Sequence, residues 1–454
     1  MSRTTGAGGP RSFDITAPLP PGTTVLEASA GTGKTYAIVG LAARHIAEGT
    51  AIDEVLLVTF SRAASAEAAI AKRHLRRLWQ VPGTQLGVVG WPPTRRDRAF
   101  GTWHYWWQAH LLDLLVDAEA ARPGSVGRDL VAKLLRGIHL RNLGRWTNDY
   151  YDDMAWLGLA VERARRHLGV GSARAERVLA DRILRSWAPP KGGGIPWRTM
   201  DYFFNTPANG PGAILMARTG HTDRAVAMCD WMHEKLLAPD TGLIYDGIKE
   251  VVTDSGETDW EIVTAIYTYC QGVVLGAEVE ALRASADGDA ASARHGERII
   301  ALLGAIETHL LVDADLTVVD DPADPDTAGD ASLRRARIVP GAGGGDGGLF
   351  AGILVRYLAL IATDLPDGPG AGRTRSRAAQ IVLDTAEAVW QTRAIVDGAP
   401  LFSADWRTGA VIPTASGSDA QFIAGAVHSS QTPERDLSVQ LSGWMALEAA
   451  ARVA

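Results

Sequence analysis

The sequence predicts a mainly α-helical protein, an α/α barrel or toroid, preceded by a short and incomplete α/β segment. Three observations carry that expectation. About a dozen amphipathic helix candidates follow one another from residue 63 onward, separated by Gly-, Pro-, Asn- and Asp-containing loops. Strand-like runs are confined to roughly the first 60 residues. The helices come in pairs joined by long loops carrying Trp, Tyr, Asn and Asp, which favours a toroid over a four-helix bundle.

In chain order, VLEA and VLLVTF (55–60) read as strands with a helix over 34–46 between them. Helices are then read over 63–79, 102–120, 127–138, 150–168, 173–187, 210–219, 222–237, 260–283, 292–309, 347–363, 374–393, 417–428 and 435–452. The Gly/Asp-rich stretch 319–348 reads as a long loop inside the helical part, because helices of the same character resume after it. Two domains are expected, 1–65 and 66–454.

The chain has 454 residues, ample for a large core, and a net charge of −7, so the surface as a whole does not attract polyanions. Basic residues do cluster at Lys72, Arg73, Arg76 and Arg77 and again at Arg95, Arg96 and Arg98. No aromatic residues interleave with them in a stacking pattern, so a solvated face is favoured over a nucleic-acid surface. No apolar run approaches the roughly 20 residues of a membrane helix. The first residues lack an apolar export segment, which points to the cytoplasm. Cys229 and Cys270 read as buried reduced thiols. His104 and His110, six apart, do not share a helix face, so no metal site is expected.

Two stretches carry chemistry. The first is EASAGTGKT (27–35), a phosphate-binding loop pattern in which Ala28 replaces the first Gly. Its glycines, Gly33 among them, would turn backbone N–H groups toward phosphates, Lys34 would reach the β/γ oxygens and Thr35 would hold Mg²⁺. With its flanks, ITAPLPPGTTVLEASAGTGKTYAI and DEVLLVTFSRAASAE, it resembles the start of UvrD/RecB-like superfamily 1 helicases, closest to RecB, over about 12–67. Hydrolysis also needs an acidic residue at a strand end, a water-positioning group and arginines at the γ-phosphate. Asp53 and Glu54 precede their strand, and two strands cannot make the sheet that such a loop caps. The segment therefore reads as a remnant.

The second stretch is GRWTNDYYDDMAWLGLA (144–160). Alone, Asp152 and Asp153 read as an acidic first helical turn. Fourteen tryptophans, several in loops or at helix starts, change the weighing: indole faces beside carboxylates and amides suit sugar rings, and paired acids then have a glycosidic bond to act on. RWTNDYYDDMAW, followed by FNTPANGPGAILMARTG (204–220), GLIYDGI (242–248), YTYCQGVVLGA (267–277) and GGLFAGILVRYLA (347–359), resembles glycoside hydrolase family 76, the endo-α-1,6-mannanases, over about 66–454. The resemblance implies an (α/α)6 barrel and retaining attack on α-1,6-linked mannan, with Asp152 as nucleophile and Asp153 as acid/base.

Neighbours on a helix diverge by about 100°, so both acids can face a cleft only at a loop-to-helix junction. Further cleft candidates are Trp107, Asn148, Tyr151, Asn205, Asn209, Asp246, Tyr269 and Gln271. Cys270 stands where the family usually has Asn. The expected partner is an α-mannan-type glycan, with no cofactor, no nucleic acid and a single chain as the working form. The rivals are an ATP-binding helicase-related protein and a glycan-binding protein with weak turnover. A cytoplasmic site is in tension with this substrate, because mannans of this type lie outside the cytoplasm.

Overall fold

The computed structural model describes residues 61–253, 256–285, 290–319, 331–414, 419–423 and 425–454, together with Arg44, Ala47 and Glu48. Gly33, Lys34 and Thr35, the strands read at VLEA and VLLVTF and most of the helix read over 34–46 lie outside the described residues. Residues Arg62–Asp315 and Arg335–Ala454 form one compact unit.

Twelve long helices, counted among the described residues, carry the architecture: α1 Arg62–His74, α2 Tyr105–Ala121, α3 Arg128–Arg141, α4 Tyr151–Leu168, α5 Ala173–Ser186, α6 Thr206–Arg218, α7 Thr222–Leu236, α8 Thr268–Ala284, α9 Ala290–His309, α10 Gly347–Asp364, α11 Ala371–Thr392 and α12 Leu437–Val453. The even-numbered helices form an inner ring in which each packs on the next and α12 closes on α2. Each odd-numbered helix lies outside against an even-numbered neighbour, with α1 against α12. This is an (α/α)6 barrel.

The sequence separates the two layers by pattern. Outer α5 buries Ala175, Leu179, Ala180 and Ile183, a single stripe at helical spacing. Inner α2 is buried almost without a break from Trp107 to Val116, because it has neighbours on every side. Helix α10 is long and apolar enough to cross a membrane by composition, but α8, α11 and α12 cover it, so it is a wall of the barrel. Arg73, read as part of a solvated basic face, is instead buried, and its guanidinium donates to the carbonyls of Val396 (2.8 Å) and Ala399 (3.0 Å).

All six inner helices run the same way. The N-terminal ends of α2, α4, α6, α8 and α10 border one cavity, while the C-terminal ends of all six border another at the opposite mouth. That second mouth is cross-tied by ion pairs. Arg163 of α4 and Arg356 of α10 each reach both Asp113 and Asp117 of α2. Arg218 of α6 bonds Glu280 of α8 at 2.6 Å. Cations there also offset the partial negative charge of the converging C-termini.

Several elements differ from the sequence reading. The helix read over 260–283 starts only at Thr268; Thr258–Val263 is instead a strand (β3) of a three-stranded antiparallel sheet with β1 Phe203–Asn205 and β2 Gly247–Val252. The β-branched runs on either side of Ser255-Gly256 carried that signal. The helix read over 417–428 is a hairpin, Gln421–Ile423 with Ala426–His428, turned at Gly425 with φ +97°. Strands Val312–Val319 and Ala331–Ile338 pair with each other, the second lying inside the stretch read as loop. Helix α6 begins four residues earlier than read, because Pro207 sits in its first turn, where no N–H bond is lost.

The inner ring is close-packed through glycine. A Cβ on Gly272 of α8 would stand 2.9 Å from the Leu354 Cα of α10, and one on Gly352 of α10 would stand 2.7 Å from the Ser442 Cα of α12. Both obstacles are backbone, which cannot yield as a flexible side chain does. Gly352→Ala is therefore expected to destabilise the barrel by about 1–3 kcal/mol, seen as a lower urea midpoint with an unchanged denaturant slope.

Candidate active site

The N-terminal mouth of the inner ring holds a cleft of about 360 Å³. Its floor is the first turn of α4, where Asp152 and Asp153 sit at the loop-to-helix junction. The two carboxylates are neighbours in unlike settings. Asp152 Oδ1 accepts the Asp153 backbone N–H at 2.8 Å, and its Oδ2 accepts the Trp197 indole N–H at 3.0 Å. Asp153 Oδ2 takes a single amide donor, Nδ2 of Asn148, at 2.5 Å. Asn148 is held in turn, its Oδ1 accepting the Tyr150 N–H at 3.0 Å.

The loop bearing Trp197 is tied to the start of α4. The Tyr151 N–H donates to the Trp197 carbonyl (2.8 Å), and the Trp197 N–H donates to the Phe203 carbonyl (2.7 Å). A third carboxylate, Asp346, precedes α10. Its Oδ1 accepts both the Trp106 and the Trp107 indole N–H, at 2.8 and 3.0 Å, and its Oδ2 accepts the Val427 N–H at 2.6 Å. Asp246 is the fourth, placed by backbone bonds to Thr206 (2.7 Å) and Ala265 (2.8 Å). Aromatic rings complete the walls: Phe350 stacks on Tyr269 at 4.0 Å, and Tyr150 meets Trp197 edge-on at 5.3 Å.

Burial raises the pKa of all four carboxyls. For Asp152, desolvation is opposed by its two donors and reinforced by the charge of Asp346. Asp153 is pushed well up, first by desolvation and then by the adjacent Asp152 charge, with the Asn148 amide opposing. Asp346 is raised by desolvation against the pull of its three N–H donors. Asp246, with desolvation as its one cause, is pushed up to about 7. Within the pair, Asp152 accepts two N–H donors and Asp153 one, so the anionic form is better supported on Asp152.

Of the residues singled out from sequence, Asp152, Asp153, Asn205, Asp246 and Tyr269 border the cleft, and five others stand behind it as braces. Trp107 is fully buried and holds Asp346. Asn148 holds Asp153, and the buried Tyr151 anchors the Trp197 loop through its N–H. Asn209 bonds the backbone N–H and carbonyl of Ile195, both at 2.9 Å. Gln271 does the same for Ile244, both at 2.8 Å, and so fixes the segment that carries Asp246. The sequence reading missed Asp346, Tyr267, Phe350 and Phe422, all cleft-lining. Asp346 had a signal: one acid among glycines in GAGGGDGG, just before an apolar helix.

Cys229 and Cys270 are both buried free thiols. Away from the cleft, Cys229, Glu278 and His295 are buried with ligand atoms within 4.8 Å of one another. Glu278 is already bonded to His295 and lies 3.5 Å from Arg298, whose guanidinium offsets its charge.

The Asp246 shift has a consequence for stability. A carboxyl whose native pKa is raised binds its proton more tightly in the folded chain than in the unfolded one. Its contribution is fully present below the unfolded value near 4 and is lost as pH rises through about 7. Asp246→Asn removes that loss. Thermal unfolding is expected to show the variant gaining stability over the wild type at pH 8, with the gain shrinking to nothing at pH 4.

A family model described as Glycosyl hydrolase family 76 matches residues 62–440, and one described as UvrD/REP helicase N-terminal domain matches residues 13–86. Among solved structures, the fold is similar to an α-1,6-mannanase from Salegentibacter sp. HEL1_6, with 25% identity, 86% of this chain and 98% of that chain covered, and a TM-score of 0.64. An inactive variant of that enzyme, with two consecutive aspartates replaced by asparagine, was solved with α-1,6-mannotriose and matches with the same figures. A Listeria innocua protein shares the fold at 24% identity, with 86% and 96% covered and a TM-score of 0.62. Among curated proteins, the RecBCD subunit RecB of Mycolicibacterium smegmatis is 62% identical over 58 residues, 12% of this chain. RecB of Mycobacterium tuberculosis is 60% identical over 58 residues, also 12% of this chain. The chain spans 5% of the length of these RecB subunits.

Proposed function

The chain belongs to glycosyl hydrolase family 76 and is a glycoside hydrolase; from that premise we propose that it cleaves α-1,6-mannosidic links by a retaining, two-step displacement through Asp152 and Asp153. The observation that carries the reading is the unlike hydrogen bonding of two consecutive carboxylates on the floor of an aromatic-walled cleft. The mannanase relative is inactive when two consecutive aspartates are replaced, and Asp152-Asp153 is the consecutive pair in this cleft.

The roles follow from the surroundings. Two N–H donors favour the anionic form of Asp152, which suits attack on the anomeric carbon. Asp153, desolvated and beside that anion, keeps its proton and gives it to the departing glycosidic oxygen. The bond from the anomeric carbon to the leaving sugar breaks as the bond to Asp152 forms. In the second step Asp153, now ionised, takes a proton from water, and the water oxygen displaces Asp152 from the sugar. The aromatic walls suit the apolar faces of mannose rings, and the carboxyls Asp246 and Asp346 suit their hydroxyls.

Asp152→Asn is expected to reduce release of reducing ends from α-1,6-mannan by at least about 10³-fold, with circular dichroism and melting showing a folded barrel. Asp153→Asn is expected to lose as much on mannan but to recover on an aryl mannoside whose leaving group needs no proton. Asp152→Asn with full activity would sink the assignment, as would a product whose first-formed anomer is inverted.

A further inference from the structure

His104 stands on the cleft wall and is unexplained by the two-carboxylate chemistry. It precedes α2 with φ +40° and ψ 95°, in the left-handed half of the map that a non-glycine residue enters only with strain. Its side chain makes no cap bond to the helix, so capping does not account for that backbone. The ring leans on Trp107 at 4.5 Å, and Trp107 in turn bonds Asp346. His104 and Asp346 therefore belong to one braced wall.

The imidazole has two unequal nitrogens. Nε2 is sealed from solvent with no hydrogen-bond partner. Burial also lowers the ring's pKa to about 4, so it is neutral near pH 7 and carries one N–H. A buried orphan N–H is rarer, and more costly, than a buried orphan lone pair. The proton accordingly sits on Nδ1, which has no protein partner among the described residues.

We propose that His104 is a substrate-positioning residue, its Nδ1–H donating to a sugar oxygen in the cleft while the ring's other nitrogen is closed off by the wall. The inference rests on the glycoside hydrolase reading above and adds a binding group to it. Trp107 braces both the His104 ring and Asp346, so the one wall offers a neutral donor and a carboxylate acceptor to sugar hydroxyls. The strained backbone is then what aims the ring.

Two variants separate positioning from packing. His104→Gly relieves the strain and removes the donor; His104→Asn tolerates the same backbone and restores an N–H close to the Nδ1 position. His104→Gly is expected to melt no lower than wild type yet to bind α-1,6-mannotriose roughly tenfold more weakly, in a catalytically silenced Asp152→Asn background, by calorimetry. His104→Asn is expected to bind within about threefold of the parent. Unchanged affinity in His104→Gly, or His104→Asn as weak as His104→Gly, would overturn the inference alone. Mannotriose that fails to bind the parent, with α-1,6-mannan left intact by the wild type, would overturn the mannanase reading and this inference with it.

Discussion

The common direction of the six inner helices is the constraint from which the rest of the barrel follows. Parallel inner helices leave their free N–H groups, and the partial positive charge that goes with them, at a single mouth. Four carboxyls, Asp152, Asp153, Asp246 and Asp346, are gathered around that mouth. The opposite mouth has the reverse problem, and there Arg163, Arg218 and Arg356 meet the helix C-termini along with their acidic partners. Such an arrangement needs the inner helices to come close, which is what Gly272 and Gly352 permit.

Helix starts supply the floor, and loops supply the walls. Asp152 and Asp153 are fixed because their backbone belongs to α4, a rigid element. Trp197, Asp246 and Val427 come from connecting segments and need separate anchors. For the first two the anchors are side-chain amides gripping backbone: Asn209 on Ile195 and Gln271 on Ile244. Asp346 joins the two kinds of support, because it accepts indole N–H groups from α2 and the N–H of Val427 in a hairpin. A carboxylate with three such donors organises the wall as much as it faces the cleft.

The helical scaffold was legible in the sequence because stripes at α-helical spacing are local and repeat. Small hairpins at the cleft were not, since GAVH and TDWEIV are too short to outweigh the helical runs beside them. The acids Asp152 and Asp153 were legible through the aromatic and amide residues packed around them in one stretch. Trp107, Asn209 and Gln271 were harder to place. An indole N–H or a carboxamide that grips a backbone or a carboxylate uses the same donors and acceptors as one that grips a sugar, so residue type alone does not separate brace from binding wall. Asp346 was hidden for the opposite reason: its partners Trp106, Trp107 and Val427 lie some 80 to 240 residues away.

The same contrast between local and dispersed sites separates the two motifs of this chain. A phosphate-binding loop such as EASAGTGKT needs only a few consecutive residues to be recognised, but nucleotide hydrolysis draws its metal ligand, water-positioning group and arginines from several distant motifs. Here the helicase match covers residues 13–86, and the hydrolase family claims 62–440. Most of the stretch that the hydrolase family matches is folded into the barrel wall and its loops. The glycosidase makes the opposite demand on sequence. Its two central carboxyls are adjacent in one helical turn, and a single turn carries both of them intact wherever the surrounding barrel is intact.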